Sequence, residues 1–174
     1  MTELVFVDTN VLVYSRDADE GEKQRAALAW MSLLWRERRG RTSVQVLSEY
    51  YVTVTRKLDP GLSREDAWDD VRALFSWRPQ SIDPALLDRG RELEARFRLS
   101  WWDSLVVAAA QLQGCAVLLS EDMQDGASFG GVRVRNPFRL ETNEDRARYM
   151  TETPAPRHRG RGRPARRSVA SEVK

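Results

Sequence analysis

Cysteine and histidine are almost absent from this chain. Its 174 residues include one of each, Cys115 and His158. A single cysteine excludes an internal disulfide and a thiolate cage for zinc. The histidine lies in PAPRHRGRGRP, where no large apolar side chain could hold an imidazole in place. Serine–histidine–aspartate hydrolysis, histidine-based nuclease chemistry and histidine-rich zinc sites are therefore excluded. A hydrolase built on this sequence has to work with carboxylates.

Long apolar runs are also lacking. None approaches the roughly 20 residues that are needed to cross a bilayer. The start, MTELVFVDTN, has no basic region followed by an apolar segment, which is the pattern of a secretory signal. These absences predict a cytoplasmic protein that makes no membrane contact.

Positive charge is concentrated at the end of the chain. Residues 151–174 carry seven Arg and Lys against two Glu, a net +5 in a chain whose total is +2, so residues 1–150 carry −3. The tail is rich in Pro and Gly and has almost nothing apolar to bury. We therefore predict a boundary near Tyr149, with a folded domain over 1–149 and a disordered basic tail over 150–174.

The tail contains the segment RGRGRPARR, which is similar to an AT-hook that lies in the A·T minor groove of DNA. A generic basic tail that attracts RNA is the simpler interpretation. Both predict salt-dependent contact with DNA or RNA. The candidate nucleic-acid-binding residues are Arg159, Arg161, Arg163, Arg166 and Arg167.

Short apolar runs alternate with helical segments in the rest of the chain. This alternation predicts an α/β fold around a mostly parallel sheet. The predicted strands are Leu4–Val7, Ala116–Ser120 and Val132–Val134, with a further short one around Pro79–Ile82; the predicted helices are Glu22–Arg38, ended by Gly40, Ser43–Leu58, one that starts after Ser63, one that starts at Pro84, and Trp101–Gln113.

Two aspartates directly follow predicted strands. Asp8 ends the run FVD, and Asp122 comes two residues after the strand AVLLS. Asp8, Thr9 and Asn10 are also residue types that cap helices, so Asp8 alone is ambiguous. However, ligands of open parallel sheets bind beyond the carboxyl ends of the strands, where the two aspartates would meet.

Three further acids have less certain roles. Glu49 has no basic residue three or four positions away, which is unusual for an acid on an exposed helix face. Asp103 has the spacing of a capping box with Ser100, but its helix is so apolar that its first turn would face the interior. Asp125 precedes Gly126, which also suits a simple turn.

Converging carboxylates repel one another unless a cation compensates their charge. A site made only of oxygen ligands favours Mg²⁺ or Mn²⁺ over zinc. Because Mg²⁺ in proteins commonly shares substrate phosphates, the substrate that fits best is a phosphodiester.

These residues lie in four segments that together resemble a PIN-domain ribonuclease of the VapC type, the toxin of a toxin–antitoxin pair. The segments are FVDTNVLVY, SVQVLSEYYVTVTRKL, LSWWDSLVVAAAQLQGC and VLLSEDMQDG, in that order. The resemblance implies a three-layer α/β/α fold. It also implies that Asp8, Glu49, Asp103 and Asp122 are catalytic and bind the metal, with Asp125 as a further ligand and Asn10, Thr9 and Ser120 in support.

The same resemblance implies an Mg²⁺-dependent endoribonuclease that forms a homodimer. Its substrates would be structured RNAs such as transfer RNA. A cognate antitoxin would inhibit it by placing a basic side chain in the acidic site.

Two other functions remain open from the residues alone. In one, the acids are structural and the chain is a nucleic-acid-binding module that works through its tail. In the other, Asp8 is the nucleophile of a phosphatase. That class needs a second Asp two positions on, where this chain has Asn10.

Overall fold

The computed structural model describes residues 3–139, so the predicted boundary near Tyr149 and the basic tail lie outside the described residues. Strands and helices alternate along the described chain. The strands are β1 (Leu4–Val7), β2 (Gly40–Arg41), β3 (Cys115–Leu119), β4 (Ser128–Phe129) and β5 (Val132–Arg135). The helices are α1 (Thr9–Tyr14), α2 (Gly21–Glu37), α3 (Val44–Arg56), α4 (Arg64–Leu74), α5 (Pro84–Phe97) and α6 (Trp101–Leu112), and a 3₁₀ turn covers Phe75–Trp77.

The five strands form one sheet in the order β2-β1-β3-β5-β4. All neighbouring pairs are parallel except β4 and β5, which form an antiparallel edge. Helices flank this sheet, so the predicted α/β/α architecture with a mostly parallel sheet is confirmed. Because β1 and β3 run parallel side by side, the residues that follow them emerge at the same edge. We call this the carboxyl edge of the sheet.

The central strands and α6 contribute much of the core, which also includes buried residues of the other helices. Phe6 and Val7 of β1 and Leu118 and Leu119 of β3 are completely buried. All residues of α6 from 104 to 110 are buried, as expected for a helix that is apolar on every side. Burial of each large apolar side chain stabilises the fold by roughly 1.5–3 kcal/mol. The rigid sheet centre thus holds the ends of β1 and β3 in place.

Short polar side chains mark where α3, α4, α5 and α6 begin, whereas α2 has no side-chain cap. Ser43, Ser63 and Ser100 each accept a hydrogen bond from a backbone N–H in the first turn of α3, α4 and α6. Asp83 does the same for α5, whose first residue is Pro84. Each cap contributes about 1 kcal/mol. The start of α3 and the start of α6 therefore agree with the sequence within one residue.

Two predictions about strands differ from the structure. Gly40 was expected only to end a helix, yet it begins β2; a Cβ at this position would lie 2.4 Å from the Trp77 ring, so glycine is what permits the packing. The strand expected around Pro79–Ile82 is reduced to one bridge between Ser43 and Gln80. Pairs this short carry no detectable alternation of apolar and polar residues.

No helix within residues 3–139 is both long and apolar enough to cross a membrane.

Candidate active site

Asp8 lies at the carboxyl edge, directly after β1. Its backbone N–H still pairs with the carbonyl of Leu119, at 3.0 Å, and so continues the sheet. One carboxylate oxygen, Oδ1, accepts from the backbone N–H of Thr9 at 2.7 Å and caps α1. The other, Oδ2, accepts from the Ser120 hydroxyl at 2.7 Å. Asp8 therefore caps a helix and also faces the end of β3.

Asn10 connects Asp8 to Asp122. Its Nδ2 group donates to Asp122 Oδ2 at 3.0 Å and lies 3.4 Å from Asp8 Oδ2. Its Oδ1 accepts from the backbone N–H of Glu121 at 3.3 Å. Ser120 completes the connection, because its Oγ accepts from the backbone N–H of Asp122 at 3.2 Å. The two aspartates are thus held together by an amide and a hydroxyl across the ends of two neighbouring strands.

Glu49 joins this group from α3. Its carboxylate accepts from the Thr9 hydroxyl at 2.9 Å and from Gln45 Nε2 at 3.0 Å. The sequence indicated that Glu49 lacks a cation nearby, and both of its hydrogen-bond donors are indeed neutral. Gln45, one helical turn before it, was not predicted as a site residue, although an i, i+4 Gln–Glu pair is a recognisable signal. We call Asp8, Thr9, Asn10, Glu49, Ser120 and Asp122 the acidic network.

The backbone around Glu49 is held by its neighbour Tyr50. The Tyr50 hydroxyl donates to Asp70 Oδ2 at 2.6 Å, and Arg16 forms two hydrogen bonds to the same carboxylate. This ion pair joins the end of α1 to α4, with α3 between them. It fixes the part of α3 from which Glu49 projects.

Burial governs the electrostatics of Asp8, which is 7% exposed. Desolvation raises the pKa of Asp8 to about 6, and the charges of Asp122 and Glu49 act in the same direction. The hydrogen bonds from Ser120 and Thr9 oppose this rise by stabilising the carboxylate. Asp8, Asp122 and Glu49 are all acids, and the acidic network contains no basic side chain that would compensate their negative charge.

A second cluster, which sequence analysis did not identify, supports the chain next to Asp122. Lys23 forms a salt bridge with Glu121 at 2.6 Å. Its ammonium also donates a hydrogen bond to the Tyr14 hydroxyl at 3.1 Å. Its ammonium also lies 4.5 Å from the centre of the Tyr14 ring. Glu121 raises the pKa of Lys23, which therefore stays charged. No local pattern predicts this pair, because its members lie on α2 and beyond β3.

Two predicted ligands make other contacts. Asp103 is half-buried in the first turn of α6, where its carboxylate accepts from the Ser100 hydroxyl at 2.7 Å and its N–H donates to Ser100 Oγ at 3.1 Å. Asp125 accepts from the backbone N–H of Asn136 at 2.8 Å and lies 3.8 Å from Arg139. The structure joins Asp8, Glu49 and Asp122 through hydrogen bonds but gives Asp103 and Asp125 these local partners instead.

The carboxylate and hydroxyl oxygens of the acidic network fit a hard divalent cation, since oxygen atoms are the ligands that Mg²⁺ and Mn²⁺ prefer. The carboxylates are separated by neutral side chains rather than directly packed. Within residues 3–139, no three His, Cys, Asp or Glu side chains stand close enough together to hold a metal ion. Asp8, Asp122 and Glu49 are connected instead through the hydrogen bonds of Asn10, Ser120 and Thr9.

A groove leads away from the acidic network between α1 and α3, with a volume of about 740 Å³. We call it the α1/α3 groove. Glu49 and Asp122 of the acidic network line it, together with Asp17 and Glu20 from the loop after α1. Such a cleft beside converging polar groups is the usual location of a binding or active site.

Comparison with known proteins identifies relatives of this arrangement. The PIN domain family model matches residues 5–124. VapC20 of Mycobacterium tuberculosis, described as a toxin that cleaves the sarcin–ricin loop, has a similar structure with a TM-score of 0.50. The two sequences are 23% identical, and the likeness covers 74% of this chain and 98% of that one. Comparison with curated proteins gives no significant match.

The family match spans β1 from Val5 onward, α3, α6, β3 and the acidic network. It covers the four segments named above except for Asp125 and Gly126. The likeness to VapC20 agrees with the same fold. This chain belongs to the PIN-domain family.

Proposed function

We propose that this protein is a divalent-cation-dependent endoribonuclease that acts as a VapC-type toxin. The observation that carries the proposal is the acidic network at the carboxyl edge, where Asp8, Asp122 and Glu49 are linked by Asn10, Ser120 and Thr9. The family membership supports nuclease activity, and the description of VapC20 as an RNA-cleaving toxin supports the toxin role.

Each member of the network has a distinct part in this proposal. Asp8, Asp122 and Glu49 would hold Mg²⁺, or Mn²⁺ in its place, once their side chains draw closer together than in this structure. Asn10 and Ser120 orient the two aspartates, and Thr9 with Gln45 orients Glu49. Asp103 and Asp125 complete the ligand set only if their side chains leave the local partners described above. A cation held there would supply Lewis-acid assistance for hydrolysis of the RNA phosphodiester, in which water attacks phosphorus, the bond from phosphorus to the leaving oxygen breaks and that oxygen takes up a proton.

The biological setting follows from the same proposal. The substrate is a structured RNA, such as transfer RNA, met in the cytoplasm. The active form is a homodimer, and the regulator is a cognate antitoxin with a basic side chain that enters the acidic site. Charge supports this regulator, since the groove beside the site carries four carboxylates.

An RNA cleavage assay tests the proposal. The purified chain should cleave structured RNA with Mg²⁺ or Mn²⁺ and lose this activity in EDTA. Asp122→Asn should lower the rate by roughly a hundredfold or more, because it removes a ligand charge while Asp122 is exposed enough for the variant to fold. Asp69→Asn, which changes an exposed acid on α4, is the control and should cleave at the normal rate.

The opposite results have definite meanings. Cleavage that persists in EDTA, or in Asp122→Asn, contradicts the role of the acidic network. Binding of RNA without cleavage under any divalent cation would favour the alternative of a nucleic-acid-binding module.

Expression of the protein in cells gives a further test. Growth arrest caused by the wild type should disappear in the variant Asp8→Asn.

A further inference from the structure

The α1/α3 groove is lined by both apolar and acidic side chains. Val13 and Tyr14 of α1 and Val52 of α3 contribute apolar surface. The described residues that line it include four carboxylates, on Asp17, Glu20, Glu49 and Asp122, and a single cation, Lys57. A groove of this kind attracts a positively charged segment with a backbone slim enough to lie in it.

RNA is not a suitable occupant of the whole groove, because its phosphates carry the same charge as the carboxylates that line it. A cation bound by the acidic network would offset the charge of Glu49 and Asp122 only. Asp17 and Glu20, which follow α1, would still repel phosphates. A cationic peptide, in contrast, meets favourable charge from all four carboxylates and apolar surface beside them.

The described chain ends beside this groove. Phe138 packs edge-to-face on Tyr14, which lines the groove, with ring centres 5.0 Å apart. Lys23 lies 5.8 Å from the Phe138 ring on the same side. The remaining residues, 140–174, are therefore attached within one residue of a side chain that touches the groove wall.

The tail matches the groove in charge and reach. Residues 150–174 carry a net +5, with five arginines between 159 and 167. The 20 residues that separate Arg139 from Arg159 span up to about 65 Å when extended. The helix α3, which lines one side of the groove, is about 20 Å long. The chain between Arg139 and Arg159 is therefore long enough for the arginines to reach the groove.

We propose that the segment Arg159–Arg167 of the tail binds in the α1/α3 groove and limits access of RNA to the acidic network. Guanidinium groups suit this place because they form paired hydrogen bonds with carboxylates. A tethered segment acts at an effective concentration in the millimolar range, so weak pairing is sufficient. Occupancy of the groove does not depend on the ribonuclease function proposed above, whereas its effect on cleavage does.

A binding experiment in the full-length chain tests the occupancy. In the neutral-tail variant, Arg159, Arg161, Arg163, Arg166 and Arg167 are all changed to Gln. A fluorescent peptide with the native sequence 150–174 should bind this variant roughly tenfold more tightly than it binds the wild type, whose own tail competes. Fluorescence anisotropy at low and high salt measures this, and the affinity should fall with salt.

Paired substitutions locate the binding. In the neutral-tail variant, Asp17→Asn with Glu20→Gln should weaken peptide binding by roughly tenfold, because two carboxylates of the groove are lost. Glu65→Gln with Asp69→Asn removes the same charge from exposed positions on α4 and should leave the affinity unchanged. An equal loss in both pairs would show that only net charge matters and would overturn the proposal.

Cleavage assays complete the test. The neutral-tail variant should cleave RNA roughly tenfold faster than the wild type at low salt, with the difference shrinking at high salt. A raised KM for RNA in that variant would show that the tail recruits substrate, which would overturn the inference. Tight binding of the peptide to A·T-rich DNA but not to the protein would show a DNA role and would overturn it as well. If the peptide binds the groove and neither chain cleaves RNA, the proposed ribonuclease fails and the groove occupancy stands.

Discussion

At the scale of single residues, Asp8 has two roles that oppose each other energetically. It stabilises the fold by capping α1 and by pairing with Ser120. It also places a carboxylate in a buried position beside two other acids, and its pKa rises to about 6. Such a residue is costly without a cation and useful with one, which is typical of an active site.

The raised pKa of Asp8 makes stability depend on pH in a defined direction. Because the folded protein binds this proton more tightly than the unfolded chain does, the contribution of Asp8 is fully favourable below pH of about 4 and is lost as the pH rises through 6. The loss amounts to about 3 kcal/mol. Asp8→Asn cannot ionise and should not show this loss.

Urea unfolding in EDTA at several pH values measures the effect. The free energy of unfolding of the wild type, relative to Asp8→Asn, should fall between pH 4 and 7. Asp69→Asn controls for the loss of an acid elsewhere and should follow the wild type. Parallel pH profiles for the wild type and Asp8→Asn would show that Asp8 is not strained by burial.

At the scale of secondary-structure elements, three arginines adopt the left-handed conformation at or after helix ends. Arg38 and Arg98 follow α2 and α5, and Arg78 follows the 3₁₀ turn, all with φ between 53° and 56°. Glycine adopts this conformation without steric cost, whereas other residues lose roughly 1 kcal/mol. These helix ends are therefore less stable than they would be with glycine at the same positions.

Arg98→Gly should raise the free energy of unfolding by about 0.5–1 kcal/mol, because it relieves this strain at an exposed position. Arg96→Gly, in the last turn of α5, is the matched control and should lower it by about 1 kcal/mol. Thermal or urea denaturation gives both values. A loss of stability in both variants would mean that the Arg98 side chain makes a contribution larger than its backbone strain.

The elements that sequence analysis could predict are those with a strong periodic pattern or a clear cap. The starts of α3 and α6 were marked by Ser43 and Ser100, and β1 and β3 by short apolar runs. β2 was not predicted because its two residues pair only through contact with β1, and glycine there is explained only by the Trp77 ring. Contacts between distant segments leave no local pattern.

At the scale of the whole molecule, the parallel sheet brings together residues that are far apart in the chain. The meeting of Asp8 with the region of Asp122 could be predicted, since both follow strands that end at one edge. Glu49 was singled out because it lacked a basic neighbour. The roles of Gln45 and of the Lys23–Glu121 pair could not be predicted, because they depend on how α2 and α3 pack around that edge.

The roles of Asp103 and Asp125 as ligands stay predictions. In the structure Asp103 Oδ2 accepts from the Ser100 hydroxyl and Asp125 Oδ1 accepts from the backbone N–H of Asn136. A sequence pattern places an acid on an element but does not specify its hydrogen-bond partner. The acidic network therefore rests most firmly on Asp8, Asp122 and Glu49.

Titration with Mn²⁺, followed by the loss of its free electron paramagnetic resonance signal, tests most directly whether these three acids share a cation. The wild type should bind Mn²⁺ competitively with Mg²⁺, and Asp122→Asn should weaken the binding by about tenfold or more, while Asp69→Asn should not. Equal Mn²⁺ affinity in the wild type and Asp122→Asn would contradict the metal site and, with it, the proposed mechanism.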